Sequence, residues 1–181
     1  MAKFYDAISP ELQTFIEDQK IFFTGTAATD GRVNVSPKGM DSLRILGPNR
    51  VVWLNLTGSG NETAAQLRDV NRLTIMFCAF EGKPLILRLY GTAKTVHTTD
   101  EGWNELYAHF PESRGARQIF DVQIDSVQTS CGFAVPLMDY QEDRDILQTW
   151  VDNKTDQDIQ NYWEAKNTTS IDGRPTGIFG E

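Results

Sequence analysis

The chain has 181 residues, 40% of them hydrophobic and 23% charged, and its 25 acidic against 17 basic side chains give a formal charge of −8. That length and composition fit one domain with a substantial core, and the acidic balance disfavours nucleic acid or an anionic membrane surface as a partner. No stretch approaches the roughly 20 apolar residues a spanning helix needs, and the opening residues lack the layout of an export signal, so a cytoplasmic location is expected.

Ser9-Pro10 is a good helix start, with a capping hydroxyl and a proline at the first helical position, and Leu12, Phe15 and Ile16 follow at helical spacing towards Lys20. From Ile21 to Ala28 the chain is rich in Phe, Thr and Ile; Asp30-Gly31 then offers a tight turn, and Val33 and Val35 alternate with polar residues, which predicts a first hairpin. A turn at Gly47-Pro48-Asn49 precedes a strand from Arg50 to Asn55. Strands over Leu73 to Phe80 and Leu85 to Tyr90 flank the turn Glu81 to Pro84, and another runs from Arg117 to Val127. Helices are expected between Glu62 and Val70 and between Asp100 and Phe110. After Pro136 the period turns helical again, first with Ile146, Leu147, Trp150 and Val151, then with Ile159, Tyr162, Trp163 and Lys166. About six strands joined by short turns favour antiparallel pairing and a barrel with helical attachments over a Rossmann fold. The whole chain, 1–181, is read as a single domain whose residues 137–181 form a helical extension.

Cys78 and Cys131 lie far apart without metal-binding spacing, so both are expected to be buried thiols. His97 and His109 are the only histidines, which leaves few candidates for histidine catalysis. The acids from Asp139 to Asp145 fit the first turn of a helix better than a metal site, and Trp150, Tyr162 and Trp163 fit packing better than a ligand cage.

One corner concentrates chemistry. Gly58 and Gly60 permit unusual backbone, Asn61 is placed to cap the helix that follows, and the first amides of that helix have no intrahelical partner. Thr57, Ser59 and Thr63 add hydroxyls, and Lys38 on a neighbouring strand adds a full charge, which makes a candidate phosphate site. The same residues also fit an ordinary capped loop, with Ser36-Pro37 simply ending a strand.

The ordered series Phe22 to Thr26, Asp30-Gly31, Val35 to Gly39, Gly60 to Thr63, Leu87 to Gly91 and Gln128 to Gly132 resembles the pyridoxamine 5'-phosphate oxidase-related flavoproteins. The resemblance runs from about residue 10 to 175. It implies a mainly β fold, an antiparallel split β-barrel of the FMN-binding type with helices at the N-terminus, between strands and in the tail. It implies FMN as cofactor and a homodimer with flavin sites at the interface. Val35, Ser36, Pro37 and Lys38 match the strand beside the flavin, Thr57, Asn61 and Thr63 match the phosphate loop, and Arg88 matches a strand that borders the cofactor. The resemblance has Arg117, Gln118 and the Gln128 to Gly132 segment approaching the cofactor from the partner subunit, and the same residues equally fit a solvated strand edge and a turn.

Two departures narrow the implied activity. Where the true oxidases carry two basic residues at the helix start, this chain has Asn61-Glu62, and the basic carboxy-terminal segment that holds the substrate's phosphate is absent. The resemblance therefore implies an FMN-dependent oxidoreductase acting on some other small molecule, with the flavin doing the chemistry and no catalytic side chain or metal. The alternative is a non-catalytic dimer that binds flavin or haem as a sensor on the same barrel.

Overall fold

The computed structural model describes residues 2–180. Strand β1 (Lys3–Tyr5) leads into helix α1 (Pro10–Asp18), where Ser9 Oγ accepts from the Leu12 N–H at 3.3 Å and Pro10 opens the first turn. The chain then forms β2 (Phe22–Thr26), β3 (Asn34–Lys38), β4 (Leu43–Gly47) and β5 (Arg50–Leu56), followed by α2 (Glu62–Asp69). Next come β6 (Leu73–Cys78), β7 (Ile86–His97), α3 (Trp103–Tyr107) and β8 (Ala116–Ser130), and the tail carries α4 (Ile146–Asp152) and α5 (Asp156–Lys166).

Every strand pairing is antiparallel, and the order across the sheet is β3-β2-β6-β7-β8-β5-β4. The long strand β8 organises it. One edge pairs with β7 over its length, and the other is shared between β5 at its beginning and β1 at its end. The sheet curls but does not close, because its outer strands β3 and β4 pair with only one neighbour each. This is an antiparallel split barrel.

The run Val-Val-Trp-Leu in β5 has no polar alternation because both faces of that strand are covered. Val51 and Trp53 point into the barrel, where Trp53 stacks on Phe120 at 4.3 Å and α1 adds Leu12 and Ile16. Val52 and Leu54 point outward, under Trp103, Leu106 and Phe110 from the α3 region. Among the described residues no helix is long and apolar enough to cross a membrane.

Several expectations need correction. The first helix ends at Asp18, with Gln19 already extended. The tight turn at Asp30-Gly31 is a wider loop, residues 27–33, held by Asp172 accepting from the Arg32 N–H at 2.8 Å. Among the described residues there are eight strands and not six, since β1 and β4 carry no clean alternation. The strand expected to stop at Tyr90 runs on to His97, and β8 runs on to Ser130, taking in most of the segment read as a turn. The helix expected between Asp100 and Phe110 is there, over Trp103–Tyr107. The acids before α4 lie outside its first turn, and Cys131 is exposed at the end of β8, whereas Cys78 is buried.

Candidate functional site

The start of α2 and the inner side of β3 border a cleft of about 330 Å³. Alternation on β3 turns Asn34, Ser36 and Lys38 inward and leaves Val35 and Pro37 exposed. Ser36, Lys38, Thr63 and Arg117 line the cleft, with Pro37 on its rim, while Val35 is 67% exposed on the other face. Lys38 Nζ donates to Asn55 Oδ1 at 3.1 Å, and Thr63 Oγ1 accepts from Asn34 Nδ2 at 3.1 Å.

Arg117 enters from the first residues of β8. It is 3% exposed, and its Nη1 donates to Gly60 O at 3.0 Å and to Asn167 Oδ1 at 2.7 Å, while its buried Nε has no partner. Burial lowers its pKa to about 10, so the guanidinium keeps its charge at neutral pH. Burial also pushes the Lys38 ammonium down to about 8, and neighbouring Arg117 pushes in the same direction. Among the described residues no carboxylate forms an ion pair with either cation. Glu62, the acid lining the cleft, is held by the Ile171 N–H at 3.0 and 3.2 Å.

A buried guanidinium and a half-buried ammonium beside the unpaired first amides of an α-helix form an electropositive corner in a net acidic chain. Positive charge thus reaches this corner from β3 and β8, although the helix start itself lacks the two basic residues.

Thr57 and Asn61 act differently from the expectation. Thr57 Oγ1 donates to Gly115 O at 2.9 Å and accepts from Trp163 Nε1 at 2.9 Å, so it ties α5 to the loop. Asn61 makes no side-chain cap. Its Oδ1 accepts from Gln118 Nε2 at 2.6 Å, and its Nδ2 donates to Gln118 Oε1 and to Asn167 O, both at 3.3 Å. Arg88 is not brought to the cleft within one chain. It pairs in register with Gln128, eleven residues along β8 from Arg117, a separation of roughly 35 Å at the rise of a strand, and it donates to Ser130 Oγ at 3.3 Å.

Two contributors were missed by sequence reasoning. Asn55 closes a strand and shows its role only once Lys38 lies opposite. Asn167 sits far downstream at the end of α5, with no local signal that it returns to the loop.

The barrel and its cleft define a split-barrel protein with an electropositive, anion-sized corner at a loop-to-helix junction. The family model for pyridoxamine 5'-phosphate oxidase matches residues 8–131, and the chain belongs to that family. It is 39% identical over 149 residues to the pyridoxamine 5'-phosphate oxidase family protein ustO of Aspergillus flavus, a match covering 77% of this chain and 58% of that relative. The chain therefore spans little more than half the length of this relative. A single-residue variant of HupZ from Group A Streptococcus superposes with a TM-score of 0.55 at 17% identity, over 68% of this chain and 99% of that one. A Lactobacillus delbrueckii protein provisionally described as a pyridoxamine 5'-phosphate oxidase gives 0.54 at 16%, over 68% and 94%. At those identities the likeness is one of fold.

Proposed function

We propose that this chain is an FMN-dependent oxidoreductase that acts on a small organic molecule, as one split-barrel domain over residues 1–181 whose extension 137–181 braces the cofactor loop. The observation that carries this reading is the pairing of half-buried Lys38 with fully buried Arg117, which no carboxylate among the described residues neutralises by an ion pair. Keeping an uncompensated buried cation beside a second, half-buried one is unfavourable unless an anion joins them. A terminal phosphate fits this donor set, and membership in the pyridoxamine 5'-phosphate oxidase family supports FMN as the molecule that brings it.

Lys38, Arg117, Thr63 and the amides at the start of α2 would hold the phosphate, and the backbone of Val35 to Pro37 would border the ring. When bound, the flavin supplies the capacity to take up and release hydride or electrons. This chain's residues bind, orient and exclude water. Exposed Val35 on the edge strand, with Phe133 at 81% and Leu137 at 78% exposure, supports a homodimer whose second copy completes the site. Arg174 is committed to Asp30 and Asp69, which supports a substrate without a phosphate group of its own.

FMN titration followed by fluorescence quenching and by melting temperature tests the proposal. Bound FMN is expected to quench and to raise the melting temperature. In the unliganded chain Lys38 loses its proton as pH rises through about 8, whereas a bound phosphate keeps the ammonium charged. FMN affinity is therefore expected to fall above pH 8 by up to about tenfold per pH unit. Conversely, the unfolded chain holds that proton up to about 10.5, so the unliganded fold gains stability between about 8 and 10.5. Lys38→Met is expected to weaken FMN binding at pH 7 and to remove this component of the pH dependence. A chain that neither quenches FMN nor melts higher in its presence is not a flavoprotein.

A further inference from the structure

Besides the Trp163 contact to Thr57, the cofactor loop is held from outside the barrel by Asn167. Asn167 is fully buried at the end of α5, where its N–H donates to Trp163 O at 2.8 Å. Its Nδ2 donates to Gly58 O at 3.0 Å, its Oδ1 accepts from Arg117 Nη1 at 2.7 Å, and its backbone O accepts from Asn61 Nδ2 at 3.3 Å. A hairpin returning from Thr168 secures it, with Thr176 Oγ1 donating to Asn167 O at 2.6 Å and the Thr176 N–H to Thr168 O at 3.0 Å. One residue thus fixes the glycine loop and the cation that faces it: its carboxamide holds Gly58 and Arg117, and its backbone carbonyl holds Asn61.

The choice of an amide matters more than its reach. Aspartate has nearly the same shape, but its carboxylate would form a charge-assisted pair with the buried guanidinium and cancel the charge. Asparagine accepts from the guanidinium without cancelling it, so Arg117 is oriented and remains a net cation. Gly60 O, the other acceptor on Arg117, is equally uncharged.

We infer that Asn167 is a positioning residue of the cleft: its neutral carboxamide ties the glycine loop to Arg117 and leaves that charge for a ligand's phosphate, which sets a preference for phosphorylated over unphosphorylated flavin. The inference rests on the proposed FMN site and extends it to a residue outside the barrel. It also makes the tail a working part of the site.

The test compares binding of FMN, riboflavin and orthophosphate by wild type, Asn167→Asp and Thr176→Val, with circular dichroism to establish folding. Wild type is expected to prefer FMN over riboflavin, and Asn167→Asp to lower that preference by at least about tenfold through FMN alone. Thr176→Val loosens the same hairpin without touching the charge, so it is expected to melt lower while keeping the preference. Asn167→Ser, too short to span both partners, is expected to lose part of the preference without adding charge, and it serves if Asn167→Asp does not fold. If wild type prefers FMN and both Asn167 variants keep that preference, the role of Asn167 is overturned and the FMN reading stands. If Thr176→Val loses the preference as fully as Asn167→Asp, the effect is general loosening and the inference fails. A wild-type chain that binds neither FMN nor orthophosphate overturns both readings together.

Discussion

Replacing Arg117 with methionine is expected to weaken FMN binding by on the order of 100-fold, about 3 kcal/mol, while riboflavin binding stays within about twofold. Methionine has a similar unbranched length and keeps the apolar packing of a residue that is 3% exposed, so the main loss is charge. The guanidinium currently donates to Gly60 O and Asn167 Oδ1, and both acceptors lose that partner in the variant. A fall in thermal stability is thus expected as well. The flavin comparison separates the two effects, because a collapsed loop weakens both ligands and a lost charge weakens only the phosphorylated one. Calorimetric titration with each ligand reads the difference, and equal weakening of both would remove Arg117 from the phosphate site.

Gly91→Ala is expected to be the most damaging single-methyl change in the barrel. Gly91 lies where the β7–β8 register shifts, and a Cβ there would stand 2.0 Å from Gln123 O and 3.0 Å from Gln123 C. Those atoms belong to the backbone of β8, which is pinned by β7 on one side and β5 on the other, so they cannot yield as a side chain would. The cost is expected to exceed about 3 kcal/mol and to lower the melting temperature by about 10 °C, or to prevent soluble folding. Gly47→Ala, where a Cβ meets nothing within 4 Å, is the matched control and is expected to shift stability by less than about 1 kcal/mol. A Gly91→Ala protein that melts with wild type would contradict the register described for these two strands.

Sequence patterns carried far where a residue's environment is local. Ser9-Pro10 announces α1, the unbroken apolar run of β5 reflects a strand covered on both faces, and Lys38 with the glycine loop marks the electropositive corner. They failed where meaning depends on a distant partner. Gly91 looks like a strand end, yet it allows the close approach that lets β7 continue to His97. Asn61 has the residue type and place of a helix cap, but Gln118 and Asn167 offer its side chain better partners from β8 and α5. β4 was hidden because Arg44 breaks its apolar pattern, its guanidinium being held by Asp41 and by His109 O. Asn167 could not be found by spacing, since the glycine loop it braces lies more than a hundred residues earlier.

Phosphorus NMR of FMN added to the protein asks most directly whether the corner formed by Lys38, Arg117 and the start of α2 holds a phosphate. A separate bound resonance is expected, one that stays at its dianion position as pH falls through about 6, where free phosphate monoesters take up a proton. That resonance is also expected to vanish in the Arg117→Met variant. A single resonance that titrates like free FMN would contradict the assignment of this cleft.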